Sequence, residues 1–470
     1  MSPGHAALEA HCPVRVRGAD ASCTSAKTRV VVLGSGWGAI SFIKNLDPAA
    51  FGEDGPYELV LVSPRNYMVY TPLLPSAMGG VVSETSIVES VRNLMSGKGT
   101  YYEARTTDID PASRTLTCVK EFCEVCAARK GPSEHTEADH TFTLQYDILL
   151  CSVGAVNATF GIQGVQQHCW FLKSMEDAKK LRRHASKSLE HAALPHVSPE
   201  ERRRLLSFVV VGGGPTGVEV AAELRDLVEE DVTRQMPHIK VGAGSPGAAA
   251  ALPQAAAALV TEVHEGEVEV EHKDGAKERV PFGTCIWATG IAMHPLVAAL
   301  KAKLPPELQD SRRGLVVDSH LRVLGTQGTI FCLGDAAVTA ASPQAALPPT
   351  AQVARQEGEY LARLLSGAKL GLVPEAEAEA AGGGGELVPL PEAAKPFRYM
   401  HLGSLAYLWG QKGVMDLPFK LPFLKTLRGY LGGHTWRGLE TWMQVSNRTR
   451  WLVAHDWFRT AVFGRNTSDV

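Results

Sequence analysis

The sequence predicts an α/β protein with two Rossmann-like dinucleotide-binding domains, followed by a C-terminal region of different character. Three observations carry this prediction. Arg29–Ala39 (RVVVLGSGWGA) and Ser207–Gly217 (SFVVVGGGPTG) each pass from an apolar run through a glycine-rich turn toward a helix. Two further short apolar runs, Cys285–Gly290 (CIWATG) and Thr329–Asp335 (TIFCLGD), read as strands ending in Ala-Thr-Gly and Gly-Asp. From Lys395 onward the chain holds eleven Lys/Arg against four Asp/Glu, and five of its eight tryptophans.

Composition narrows the class. A chain of 470 residues has room for about three domains. Its 45% hydrophobic and 21% charged content is that of a globular protein. A net charge of −3 gives no footing for nucleic acid. Nine scattered cysteines do not make a disulfide framework, so a reducing compartment is expected. The longest uncharged run, Val241–Thr261, is broken by Gly242, Gly244, Pro246, Gly247 and Pro253. It is a poor bilayer span, so any membrane attachment is expected to be peripheral.

Residues 1–28 set Arg15, Arg17 and Lys27 against Glu9 and Asp20. They read as a tail, either disordered or the remnant of a transit peptide. In the first turn Gly34, Gly36 and Ala39 match G-x-G-x-x-G/A. The first glycine permits the turn, the second lets a pyrophosphate touch the backbone, and the third small residue lets helix and strand pack closely. The helix N-terminus offers free N–H groups to phosphate. Tyr57–Val62 reads as the second strand. Where the fingerprint wants an acid for the ribose stands Ser63, followed by Arg65. The serine can bond a ribose hydroxyl, and Arg65 can meet phosphate or stack on adenine. Tyr70–Pro75 (YTPLLP) is too proline-rich for a helix and reads as a rigid loop beside a flat ligand.

The insertion Glu121–His140 carries Cys123-x-x-Cys126, with Cys118, His135 and His140 nearby. Its spacing is off the zinc patterns, so it reads as a surface hairpin loop and no metal is expected. Tyr146–Val153 is another apolar strand. Gly212, Gly214 and Gly217 satisfy the full G-x-G-x-x-G before a helix over Val218–Leu227. Two such units in one chain suggest two dinucleotides held face to face. The Asp335 carboxylate can accept hydrogen bonds from a ribityl hydroxyl. Leu372–Glu392 is rich in Pro, Gly, Ala and Glu and reads as a flexible linker. Interleaved basic and aromatic residues on short helices in 395–470 suit the headgroup boundary of an anionic membrane. The alternative is a subdomain that buries those aromatics against the first fold.

Taken together, these parts resemble the two-dinucleotide-fold flavoprotein reductases. Within them the chain is similar to the type II (alternative, non-proton-pumping) NADH:quinone oxidoreductases, from about Arg29 to the C-terminus. Thr350–Glu357 (TAQVARQE) and Asp456–Gly464 (DWFRTAVFG) are its most specific parts. The resemblance implies FAD in a domain made of 29–161 and 315–367, and NADH as substrate in 165–300. It implies a quinone as acceptor and membrane contact through 395–470. It also implies that Glu219 bonds the nicotinamide amide, while Gln352 and Thr71 border the isoalloxazine and the quinone entry. Gly34, Gly36, Ala39, Ser63, Arg65, Gly334, Asp335, Ala351, Gly212, Gly214, Gly217 and Gly290 are the implied cofactor-binding positions. Peripheral attachment to the mitochondrial inner membrane follows, with the chloroplast thylakoid as alternative, and a homodimer is allowed. Ala39–Pro48 has no cysteine, which speaks against the disulfide reductases of this fold.

One departure stands out. Where the family continues the second strand of its NADH half and ends it in an acid, this chain has Gly242–Ala258 (GAGSPGAAAALPQAAAA). A unit without that strand loses a sheet member and the ribose carboxylate, so impaired NADH binding is expected. Two rivals follow: a flavin-binding homologue with lost NADH activity, and a soluble reductase for another acceptor.

Overall fold

The computed structural model describes residues 27–120, 140–237, 258–340, 347–367, 394–421 and 424–466. The expectations for residues 1–26, for the Cys123–Cys126 insertion, for 242–257 and for the 372–392 linker lie outside the described residues.

Two parallel sheets carry the glycine turns. Their strands are β1 (Thr28–Leu33), β2 (Tyr57–Ser63), β3 (Thr100–Glu103), β4 (Ile148–Cys151), β5 (Cys169–Phe171), β6 (Phe208–Val211), β7 (Thr284–Trp287) and β8 (Ile330–Cys332). The first sheet has the order β8–β4–β1–β2–β3, and the second β5–β7–β6. In the first, β1 is central and Val30–Leu33 are fully buried, as expected for an apolar run covered on both faces. In the second, β6 is half-buried throughout and pairs only with β7 among the described residues. An antiparallel meander over Leu259–His264, Glu267–Glu271 and Lys277–Pro281 follows.

Five helices matter to the site: α1 (Trp37–Lys44), α2 (Pro215–Asp226), α3 (Ala351–Gly367), α4 (Gly429–Trp442) and α5 (Asn447–Phe463). Helix α2 begins at Pro215, earlier than the Val218 expected. A proline suits the first helical turn because its missing N–H would have no partner there. The same physics corrects the loop expected at Tyr70–Pro75. Thr71–Leu73 forms a 3-10 turn and Leu74–Met78 a short helix, with Pro72 and Pro75 in their first turns. Helices α1 and α3 approach through glycine: a Cβ on Gly358 would lie 2.3 Å from the Gly38 carbonyl oxygen.

The C-terminal region is not helical throughout, as the expectation of short helices had it. Ser404–Leu408, Lys412–Leu421 and Leu424–Arg428 form an antiparallel sheet before α4 and α5. Its tryptophans divide. Trp436 is 2% exposed and packs between Tyr407 and Trp457, whereas Trp442 and Trp451 are 67% and 79% exposed.

The C-terminus is anchored by charge. Beyond α5, the buried Arg465 donates from Nη1 to Glu223 Oε2 at 2.6 Å. Its guanidinium also lies 3.6 Å from Asp226, 3.3 Å from Asp231 and 3.8 Å from Glu230. A π-helical turn over Leu227–Val232 carries Glu230 and Asp231. Burial holds Asp226, Glu230 and Asp231 above the usual carboxylate range, and Arg465 opposes that shift. Arg465→Ala leaves these carboxylates without their cation. The variant is expected to lose about 3–5 kcal/mol in urea unfolding. Carboxylates with raised folded pKa favour the fold at low pH and lose that contribution as pH rises. The deficit should therefore shrink on acidification, and a pH-independent deficit would refute this account.

Candidate functional site

A cavity of about 2310 Å³ runs from the first glycine turn, past the ends of β4 and β8, to the N-terminus of α2 and the inner side of α4. In the first turn Gly34 has φ +98°, and a Cβ there would sit 2.4 Å from the Ser152 carbonyl oxygen. A Cβ on Gly36 would meet nothing within 4 Å. Gly36 caps α1 without a side-chain bond, so the first N–H groups of α1 face open space. That is a cradle for a diphosphate. Ala39 is fully buried and packs in the core rather than lining the cavity. Gly38 is also close-packed: a Cβ there would lie 2.5 Å from the Leu333 side chain.

Ser63 and Arg65 both line this end. The buried Ser63 hydroxyl donates to Ser35 Oγ at 2.9 Å and accepts from Arg65 N at 3.3 Å. Ser35 in turn reaches the Tyr67 carbonyl at 3.1 Å. Ser63 is thus spent chiefly on fixing the turn to the loop after β2. Arg65 is exposed at the rim.

At the end of β8, Gly334 and Asp335 line the cavity. The Gly334 N–H donates to Glu357 Oε2 at 2.5 Å, tying this turn to α3. Burial pushes Glu357 up to about 8, with the Gly334 N–H opposing and the Asp335 charge adding. Burial likewise raises Asp335, opposed by Lys173 and Arg313. Lys173, also in the cavity wall, is lowered by burial, with Asp335 opposing.

The second turn is as constrained as the first. Gly212 has φ +126°, and a Cβ on Gly217 would fall 2.0 Å from the Gly212 carbonyl oxygen. Gly212, Gly214 and Gly217 do not line the cavity themselves, but Pro215, Thr216 and Glu219 do, as does Gly290 shortly after β7. Glu219 is buried, and its Oε1 accepts from Tyr407 N at 3.2 Å. Burial pushes Glu219 up to about 8, opposed by that N–H and reinforced by the charges of Glu440 and Glu223. A carboxyl in this state has an O–H to donate.

Ala351 and Gln352 open α3 at the cavity wall. Gln352 Nε2 donates to Gly403 O at 2.9 Å, and its Oε1 accepts from Leu402 N at 3.2 Å. One helical turn on, Gln356 donates to Met400 O at 2.8 Å and accepts from Met400 N at 2.9 Å. The two glutamines therefore hold residues 400–403 as a wall of the cavity. Thr71 lines the opposite side, and its Oγ1 accepts from Trp37 Nε1 at 2.9 Å.

Several of these residues escaped the sequence reading: Gly38, Trp37, Lys173, Glu357, Gln356, Tyr407 and Glu440. The i, i+4 spacing of Gln352 and Gln356 was a usable signal. The others depend on pairings between segments far apart in the chain.

Comparison with known proteins matches this architecture. A family model for the pyridine nucleotide-disulphide oxidoreductases matches residues 28–358, and one for the NDH2 C-terminal domain matches 401–466. A probable mitochondrial NADH-ubiquinone oxidoreductase of Schizosaccharomyces pombe is 35% identical over 493 residues, covering 94% of this chain and 84% of the relative. The external alternative NADH-ubiquinone oxidoreductase of Yarrowia lipolytica is 36% identical over 502 residues, with 94% and 81% covered. Among solved structures, NDH2 of Plasmodium falciparum in complex with NADH aligns with a TM-score of 0.77 at 24% identity, covering 94% of this chain and 100% of that one. The chain belongs to the pyridine nucleotide-disulphide oxidoreductases and, within them, to the alternative NADH-ubiquinone oxidoreductase family.

Proposed function

We propose that this chain is an FAD-dependent oxidoreductase that moves electrons from NADH to a quinone at a membrane surface, without spanning the membrane. One observation carries the reading. A single cavity joins the Gly36 cradle, the Asp335 turn, Glu219 on α2 and the wall held by Gln352, and it reaches α4 of the C-terminal region. When bound, FAD supplies the chemistry of accepting a hydride from NADH and handing the electrons on. The protein positions and shields. The free N–H groups at Gly36 suit the diphosphate, and Asp335 suits a sugar or ribityl hydroxyl. Glu357 and Lys173 hold the Gly334 turn and balance its charge. The N-terminus of α2 suits the second nucleotide, and the Glu219 O–H suits the amide of a nicotinamide. Trp37, Thr71 and the glutamine-held wall border the place for a flat acceptor.

Helix α4 links cavity and membrane. It walls the cavity with Leu439, Glu440 and Met443, while Tyr430, Leu431 and Trp442 are exposed. Helix α5 adds Trp451, Phe458, Val462 and Phe463. Large exposed apolar side chains beside Arg448 and Arg459 suit the boundary of an anionic bilayer. No helix among the described residues is long and apolar enough to cross a membrane. The mitochondrial relatives favour the inner mitochondrial membrane as the site of docking, and a homodimer is compatible with this reading.

Anaerobic mixing with NADH tests the function: the flavin absorbance should bleach, and a short-chain ubiquinone should restore it. A spectrum indifferent to NADH would leave only a flavin-binding homologue. Gly36→Val, which adds a side chain where nothing stands within 4 Å, should yield folded but colourless protein. Retention of full flavin content by that variant would remove the cradle assignment. Deleting residues 435–470 is a poor membrane test, because it also removes the buried Trp436, Val453 and Arg465. Replacing Trp442, Trp451 and Phe458 together by Ser should instead release flavin-loaded protein from anionic vesicles. Undiminished co-sedimentation would show that the docking face lies elsewhere.

A further inference from the structure

Glu440 differs from the other buried carboxylates of the cavity. It is 2% exposed on α4, lines the cavity, and its Oε2 has no hydrogen-bond partner among the described residues. Its electrostatic neighbour is Tyr70, 1% exposed, whose hydroxyl favours the ionised form of the carboxyl. Tyr70 also lines the cavity and meets Trp37 edge-on, with ring centroids 5.1 Å apart. Trp37 in turn bonds Thr71. The pair therefore stands at the end of the cavity assigned to the acceptor. A buried carboxyl with an open oxygen is disfavoured unless it has something to do, since an apolar side chain would fill the place without a desolvation penalty.

The ionisable groups bearing on the pair come from two elements, α2 and α3. The Glu440 charge disfavours that of Glu219 on α2, and Arg355 of α3 acts on Tyr70. On its own helix Glu440 has Trp436 and, one turn on, Gln444, whose Nε2 donates to the Glu440 backbone carbonyl at 3.0 Å. Burial pushes Glu440 up to about 7, with the Tyr70 hydroxyl opposing. Near neutrality the carboxyl can therefore both hold and release a proton.

Resting on the quinone-reductase reading above, we propose that Glu440 holds a proton for the acceptor and passes it through the Tyr70 hydroxyl into the cavity. The balance requires one such proton. Oxidation of NADH breaks the nicotinamide C–H bond and supplies two electrons and one proton. A quinone becoming a hydroquinone takes two electrons and forms two O–H bonds. The second proton must come from solvent. In the relay the Glu440 O–H bond breaks and its proton moves to the Tyr70 oxygen. The Tyr70 proton moves to a quinone oxygen, and solvent reprotonates the carboxylate. No oxidant or reductant beyond NADH and the quinone is needed.

The test compares the flavin-loaded wild type, Glu440→Gln, Glu440→Asp and Tyr70→Phe with two acceptors. One is a short-chain ubiquinone, and the other is ferricyanide, which takes electrons without protons. In the wild type the ubiquinone rate should fall as pH rises through about 7, and the ferricyanide rate should not share that limb. In Glu440→Gln and Tyr70→Phe the ratio of the two rates should drop about 10- to 100-fold. The limb should vanish in Glu440→Gln and return in part in Glu440→Asp. Infrared difference spectra should show a carboxylic-acid carbonyl band that titrates near neutrality and is missing from Glu440→Gln.

An unaltered pH limb and ratio in Glu440→Gln overturns the proposal, as does an equal fall with both acceptors, which marks a packing role. Absence of the infrared band also overturns it. Wild type that reduces ferricyanide but no quinone overturns the underlying reading and the proposal together. Wild type that reduces quinone, with a limb indifferent to Glu440→Gln, overturns the proposal alone.

Discussion

The arrangement depends on a stripe of acids along α2. Glu219, Glu223 and Asp226 fall at i, i+4 and i+7, on one face of the helix, and all three are buried. An unpartnered buried carboxylate is severely disfavoured, so the stripe can exist only where donors are supplied. They come from both sides of the molecule. Ser76, from the short helix after Thr71, donates to Glu223 at 2.7 Å. Tyr407 gives its N–H to Glu219 and its hydroxyl to Asp226 at 2.6 Å, Gly410 N reaches Asp226 at 2.7 Å, and Arg465 closes on Glu223. One face of α2 is thus a polar seam to which the short helix Leu74–Met78 and the C-terminal region are both fastened. Of the three acids, Glu219 lines the cavity.

The seam also accounts for the double character of the C-terminal helices. Their inner residues complete the fold: Trp436 lies against Tyr407, Val453 is fully buried, and Asp456 Oδ2 accepts from Ser83 N at 2.7 Å. Their outer residues, Trp442, Trp451, Phe458 and Phe463, have no such work and stay exposed. The proposed membrane docking and burial against the first fold are therefore not competing accounts of the tryptophans. They belong to opposite faces of the same two helices, and the position of each tryptophan on its helix decides which face it joins.

Much of the fold was legible because its signals are local. A four-residue apolar strand, a glycine turn and a following helix declare themselves within about ten residues, and both copies formed where Gly34 and Gly212 placed them. The prolines of Tyr70–Pro75 misled because a proline that breaks a helix interior suits a helix start, and the sequence alone does not say which turn it occupies. The three-stranded sheet between Ser404 and Arg428 was missed for a similar reason, since aromatic and basic residues fit a membrane helix and an edge-rich sheet equally well. The polar network around the cavity was illegible for a stronger reason. Glu357 and Gly334 are 23 positions apart, and Arg465 and Glu223 are 242 apart. No periodicity links such partners, and only the folded chain shows that each answers the other.

The long-range polar contacts also explain why the end of the cavity proposed for the acceptor lies where three segments meet. Residues 400–403 have no partner strand among the described residues, and their backbone groups are bonded in large part by two side chains, Gln352 and Gln356. A wall held by side-chain amides can leave a gap beside it that a hydrogen-bonded sheet would close. Across that gap Tyr70 and Glu440 supply polar groups that carry exchangeable protons, and the nearest exposed surface of α4 is aromatic. In the proposed function a flat, apolar molecule with two carbonyl oxygens passes the exposed aromatics of α4 before it reaches Tyr70 and Glu440. Entry and proton exchange would then be separated along one path. The separation follows from α4 presenting Trp442 outward and Glu440 inward, two residues apart on the same turn.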